Sequence, residues 1–175
     1  MTARVIYTIG HSTRSADEFV ALLQAHAVDC LADVRTVPRS RHNPQFNEDA
    51  LAATLAAHRI RYVRIAGLGG FRRTSPDSPN TAWRNLSFRG YADYMQTPAF
   101  AENVEALIAI AQDHTVAIMC AEAVPWRCHR SLVADALLVR RVHVEEIAGE
   151  TKTAPHRLTP FAKVDGTRIR YPAAN

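Results

Sequence analysis

Val116-Ala-Ile-Met119-Cys120-Ala-Glu122-Ala-Val-Pro125-Trp126-Arg127-Cys128-His129-Arg130, running on into Ser131-Leu-Val-Ala-Asp-Ala-Leu-Leu-Val139, decides how this chain is read. Val116–Met119 is a short apolar run, the pattern of a strand buried on both faces. Ser131–Arg140 has the apolar spacing of a helix. Between them, two thiols, a carboxylate, an imidazole and two guanidinium groups crowd one strand-to-helix loop. In a parallel α/β sheet the carboxyl ends of the strands are where ligands bind.

The alternation of strand and helix extends in both directions from that stretch. Val5–Ile9 reads as a first strand and Ala16–Ala25 as a helix with Ser15 as its N-cap. Asp29–Val34 reads as a second strand, Arg35–Asn47 as a loop holding Pro38 and Pro44, and Glu48–Ala57 as a helix capped by Asn47. Tyr62–Ile65 is a third strand ending in the turn Gly67-Leu-Gly69-Gly70. Residues 71–86, with Pro76 and Pro79, form a loop long enough to suggest a mobile lid or substrate flap. Tyr91–Met95 predicts a short helix and Pro98–Gln112 a longer one, since proline is tolerated in a first turn. Val142–Ile147 predicts a fifth strand, and a short strand is expected near Arg168–Tyr171.

The expectation is therefore an α/β fold, a Rossmann-like three-layer α/β/α arrangement with a mostly parallel five-stranded sheet. Residues 1–150 would form a single domain, with 151–175 as a tail packing on or beside it. At 175 residues the chain can bury a substantial core. Its 47% apolar and 22% charged residues are ordinary for a globular protein. No segment approaches the roughly 18 apolar residues of a membrane helix. Val5–Ile9 is too short for the apolar core of a signal peptide, so a cytoplasmic location is expected. Three cysteines do not suggest a disulfide framework. Lys152 and Lys163 are the only lysines beside nineteen arginines, a balance favouring bidentate recognition of phosphate or carboxylate. Without a dense basic run or interleaved aromatics, nucleic acid is a possible partner but not the favoured one.

Polar and reactive side chains concentrate on the sheet edge that follows the strands. Cys120 and Cys128 are both candidate nucleophiles: Cys128 precedes a helix among cationic neighbours, which lower a thiol's pKa, and Cys120 ends a strand that opens on the same cleft. His11 or His129 would serve as general base, with Glu122 or Asp33 as orienting carboxylate. Ser12, Arg14, Arg35, Arg39, Gly69, Gly70, Arg127 and Arg130 are the candidate anion-binding set, with Arg41, Arg72 and Arg73 nearby. Some of these arginines would pair with Asp33, Asp49 or Glu122 inside the fold. Six residues separate Cys120 from Arg127, one more than the phosphate cradle of a cysteine phosphatase or rhodanese, and Pro125 lies among them. Zinc is a minor reading: Cys120, Glu122, Cys128 and His129 are suitable ligand types, but the Cys-x2-Cys pairing of structural sites is missing. No metal and no other cofactor is expected. Tyr91, Tyr94 and Met95 read as helix packing, Cys30 as core, and Trp83 and Trp126 as either cleft lining or cover.

The ordered series Ile9-Gly10-His11-Ser12, Asp33-Val34-Arg35, Pro38-Arg39-Ser40, Phe46-Asn47, Leu68-Gly69-Gly70, Cys120-Ala-Glu122 and Cys128-His129-Arg130 resembles the domain of unknown function 488 family over roughly residues 5–148. The resemblance implies a small cytoplasmic bacterial or archaeal α/β protein with the Cys-x-Glu and Cys-His-Arg elements in its active region. The chain departs from the family pattern at Glu146-Ile147, where the family commonly ends the fifth strand with His-Ile.

These readings converge on an enzyme, a hydrolase or group transferase, acting on a small anionic substrate such as a nucleotide or phosphorylated metabolite. The alternatives are a non-catalytic module binding nucleotide or nucleic acid, and a cysteine-based redox or metal sensor. The oligomeric state is not encoded in any motif.

Overall fold

A computed structural model describes residues 4–174. The elements are β1 (Val5–Gly10), α1 (Ala16–Ala25), β2 (Cys30–Asp33), α2 (Glu48–Ala57), β3 (Arg61–Arg64), α3 (Leu86–Tyr94), α4 (Pro98–Asp113), β4 (Val116–Cys120), α5 (Arg130–Leu138), β5 (His143–Gly149), β6 (Lys152–Pro155), β7 (Lys163–Asp165) and β8 (Arg168–Arg170).

Local chemistry accounts for most helix starts. Ser15 accepts from the Glu18 amide while the Glu18 carboxylate reaches back to the Ser15 N–H, a complete capping box for α1. Thr97 caps α4 at the Phe100 amide with Pro98 in the first turn. Two expectations need correcting. Asn47 does not cap α2; its side chain instead accepts from the Ser40 amide at 2.8 Å and folds the preceding loop back on itself. And α3 begins at Leu86, well before Tyr91, because the Asn85 side chain accepts from the Ser87 and Phe88 amides.

The main sheet has six strands in the order β3-β2-β4-β1-β5-β6. The first five are parallel, as the βαβ reading requires. The sixth, β6, runs antiparallel to β5; the chain reverses through the turn after Gly149 and adds a strand to the sheet. β7 and β8 form a separate two-stranded hairpin.

β4 is buried along its whole length, and its side chains alternate between two cores. Val116 and Ile118 join Phe100, Val104 and Leu107 of α4 and Leu132 and Leu137 of α5. Ala117 and Met119 join Phe19 and Leu23 of α1 and Leu51 and Leu55 of α2. Helices therefore cover both faces, giving the three layers. Each fully buried Leu or Phe packed on this strand contributes about 1.5–3 kcal/mol.

Strand order fixes where the sheet opens. The connection leaving β2 leads outward to β3, while the one leaving β4 leads the other way, over β1 to β5. The carboxyl ends of β2 and β4 are thus adjacent while their chains diverge, which leaves a crevice between them.

Residues 71–86 do not form a free flap. The Asp93 carboxylate accepts from the Thr74 hydroxyl, the Ser75 amide, the Ser78 hydroxyl and the Asn80 amide group, pinning the loop's centre to α3. Trp83 packs edge-on against Phe88 and Phe161, so it covers core. Among the described residues, no helix is long and apolar enough to cross a membrane.

Candidate functional site

The crevice between β2 and β4 contains a cavity of about 370 Å³. Arg35 and Thr36 enter it from the end of β2, Gly70 and Phe71 from the segment after β3, and Cys120 and Glu122 from the end of β4. Cys128 and His129 enter at the start of α5, Phe88 and Tyr91 from α3, and Arg127 sits at the rim.

Register explains the convergence. Gly10 pairs with Cys120 and Asp33 with Met119, so three strands end level with one another. The loops are then stitched together: the His11 amide donates to Cys120 O at 2.9 Å, Ser12 to Ala121 O at 3.0 Å, and Val34 to Met119 O at 3.1 Å. Gly10 permits this approach, because a Cβ there would lie 1.6 Å from the Glu122 carbonyl oxygen.

Cys128 Sγ lies 3.7 Å from His129 Nδ1 and accepts from the Arg130 amide at 3.4 Å, the first turn of α5. His129 Nε2 is 2.7 Å from Val34 O. A carbonyl only accepts, so Nε2 carries a proton and Nδ1 is left to take one from the thiol. A hydrogen bond from Cys120, the His129 contact and the Arg130 amide together push the Cys128 thiol down to about 4, against its burial. Burial pushes the Cys120 thiol up, opposed by the Arg130 guanidinium that donates to its sulfur. The orienting group on His129 is thus a backbone carbonyl, and no side-chain signal in the sequence could have announced it.

Arg35 is clamped by Asp33: Nε and Nη2 donate to the carboxylate at 3.0 and 2.8 Å, and Asp33 also accepts from the Tyr62 hydroxyl at 2.6 Å. Asp33 is fully buried and has no hydrogen bond to either candidate histidine, so among the described contacts it is Arg35, not an imidazole, that it orients. Arg35 is 4% exposed, and its Nη1 is buried without any partner. A buried donor left unmade costs about 1–3 kcal/mol. Here the unused donor belongs to a cavity-lining cation held rigidly from behind.

The remaining sequence candidates divide clearly. His11 sits beside this site, not in it: it stacks on Phe46 at 4.4 Å, Nδ1 is 2.8 Å from Ser12 O, and Nε2 is buried without a partner. Burial pushes its imidazole down, favouring the neutral form. Glu122 lines the cavity, but its carboxylate is exposed and bonds to no histidine among the described residues; its carbonyl does the structural work. Gly70 lines the cavity so closely that an added Cβ would meet His129 Nδ1 at 3.3 Å. Gly69 ends a short turn below it and accepts from Arg72, whose guanidinium covers the Tyr94 ring. Arg39 is exposed on a separate surface cleft with Pro38 and Arg64. Ser12 shapes the turn with φ 50°.

Arg14 and Arg130 line a different cavity. Arg130 is completely buried and all five of its N–H groups are engaged within the protein: Nε and Nη2 on Glu146, Nη1 on Cys120 Sγ and Glu122 O, and Nη2 on Ala123 O. It has no donor left for an external anion. The sequence expectation of Glu146 as a mere departure from pattern is thereby resolved: Glu146 is the counter-ion of Arg130.

Thr36, Phe71, Phe88 and Tyr91 were not singled out as site residues. Thr36 follows Arg35 directly and could have been found, since its hydroxyl accepts from the Gly70 amide at 2.9 Å. Phe88 and Tyr91 depend on where α3 docks. Phe71 is the most conspicuous: it is 79% exposed and holds a left-handed φ of 56°, which is costly for a bulky residue and is typical of functional positions. Among the described residues, no group of three or more His, Cys, Asp or Glu side chains is arranged to hold a metal ion.

A family model described as Domain of unknown function DUF488 matches residues 15–137. No curated protein and no solved structure matches the chain.

Proposed function

The chain belongs to the domain of unknown function 488 family, and from that premise we propose that it is a cytoplasmic cysteine-dependent enzyme, a hydrolase or group transferase, acting on a small anionic substrate. The observation that carries the reading is the pairing of two residues lining one cavity: Cys128, whose thiol lies beside His129, and Arg35, whose guanidinium keeps Nη1 unpartnered within the protein. Arg35 holds the anion, with Arg127 at the rim. Phe71, Phe88 and Tyr91 take an apolar or planar body. A nucleotide or a phosphorylated metabolite has both parts.

In this reading Cys128 is the nucleophile. Its proton passes to His129 Nδ1, and the thiolate attacks an electrophilic centre to form a covalent thio-intermediate. The leaving group takes the proton back from His129. Water or a second substrate then releases the product, which is the difference between hydrolysis and transfer.

A library of nucleotides and phosphorylated metabolites, screened by thermal shift, tests the proposal. Hits should raise the melting temperature of the wild type, and those that react should lose their covalent labelling of Cys128 in Arg35→Gln, while Cys128→Ser still binds but forms no covalent adduct and turns nothing over. Covalent labelling that ignores Arg35→Gln would overturn the anion assignment. Turnover that survives Cys128→Ser would overturn the nucleophile.

One observation favours a second reading. Cys120 and Cys128 line the same cavity, and each shifts the other's affinity for a proton. A reversible disulfide between them would make a peroxide sensor. Thiol counts before and after peroxide separate the two: loss of two thiols together favours the sensor, while modification of Cys128 alone favours the enzyme.

A further inference from the structure

The geometry points to a second ligand site, in the crevice between β1 and β5, that takes a planar heteroaromatic ring bearing a phosphate, the chemistry of a nucleoside monophosphate. It is separate from the thiol cavity and does not depend on the reading given above.

Strand order again sets the place. The chain leaving β1 crosses toward β2, while the chain leaving β5 turns directly outward into β6. Their carboxyl ends are neighbours, with Thr8 opposite Glu146, and they diverge, so a second opening forms on the same sheet edge. It encloses about 520 Å³, more than the thiol cavity.

The charges around it do not balance. Arg14, Arg130, Lys152 and Arg157 line the cavity with Glu146 as their one carboxylate, and Glu146 is already bonded to Arg130. His156 lines it too, and is held by Asp135 from behind at 2.8 Å. Arg14 uses one N–H on Gly10 O and has no ion-pair partner among the described residues; neither have Lys152 and Arg157. Three cations therefore converge on a concavity with no anion of the protein to meet them, an arrangement that attracts phosphate.

Most of the remaining lining is apolar, including Val124, Pro125, Ala134 and Pro155, with the hydroxyls of Thr8 and Ser131 among it. Trp126 stands at the rim 69% exposed, a large ring with no aromatic partner among the described contacts. An exposed indole face beside a cationic pocket suits a planar ring stacked on one side and an attached phosphate drawn inward. The Arg130–Glu146 pair forms a rigid inner wall, and the loop from Ala121 to Arg127 divides this cavity from the thiol cavity.

The test is the anisotropy of methylanthraniloyl-labelled adenosine monophosphate titrated with the full chain, competed with the unlabelled nucleotide and with inorganic phosphate. Saturable binding is expected that weakens at least about tenfold in Lys152→Glu/Arg157→Glu and in Trp126→Leu, falls with added salt, and persists in Arg35→Gln. All of these positions except Arg35 lie on the exposed rim, so the fold should tolerate their replacement; unchanged circular dichroism checks it. Failure to saturate up to about 1 mM overturns the inference. So does binding that is lost in Arg35→Gln but kept in the rim variants, which would assign the ligand to the thiol cavity and leave the proposed enzyme reading intact.

Discussion

His129 follows Cys128 directly in the chain, yet their side chains turn toward each other: Sγ and Nδ1 are 3.7 Å apart, with the far side of the ring bonded to Val34 O. Neighbouring residues on a helix would diverge. The pair meets because Cys128 is still extended, at φ −135° and ψ 144°, and the helical conformation begins only at His129. The helix start thus creates the contact and at the same time supplies the Arg130 amide to the sulfur.

His129→Leu should therefore raise the apparent pKa of Cys128 by about one unit or more, read from the ultraviolet absorbance of the thiolate against pH. The value should stay below that of a free thiol, because the Cys120 hydrogen bond and the Arg130 amide remain. An unchanged titration would mean that the imidazole does not stabilise the thiolate.

Arg130→Ala should act on stability. It removes a fully buried cation and leaves Glu146 behind with one side mostly enclosed. Breaking such a pair costs about 3–5 kcal/mol, which for a chain of this size lowers the melting temperature by roughly 6–20 °C. A drop of only a degree or two, measured by calorimetry, would show that the guanidinium is not the internal strut described here.

Gly10→Ala should displace the loop that follows β4. The new methyl cannot share space with the Glu122 carbonyl, so the bonds from His11 and Ser12 to Cys120 and Ala121 must give way. About 1–3 kcal/mol of destabilisation is expected, with faster alkylation of Cys120 as its cover loosens. Wild-type melting and labelling in this variant would contradict the close approach.

The elements that the sequence announced are those with a local signature. The Ser15 cap, the Pro98 start and the apolar run of β4 each carry their own instruction, and each formed where the pattern put it. The level ending of β1, β2 and β4 followed from parallel pairing alone. What could not be read were partners distant in sequence. Asn47 had two possible acceptors' roles, capping α2 or bonding Ser40, and only the folded loop chooses. Asp93 pins a loop that composition made look free. Arginines split into those spent inside the fold and those left over: Arg130 is fully occupied, Arg35 leaves its Nη1 unbonded, and both look alike in the sequence.

The central claim is that Cys128 is a thiolate at neutral pH and below, and alkylation mapped residue by residue between pH 6 and pH 8 tests it most directly. An ordinary thiol with a pKa near 8.5 loses nearly all of its thiolate over that range and should slow by roughly 70-fold as the pH falls. Because the Cys128 value is depressed toward about 4, its labelling rate should stay nearly level from pH 8 to pH 6, while Cys30 and Cys120, both raised by burial, remain slow throughout. A Cys128 rate that falls about tenfold per pH unit like an ordinary thiol, or that never exceeds that of Cys30, would contradict the account.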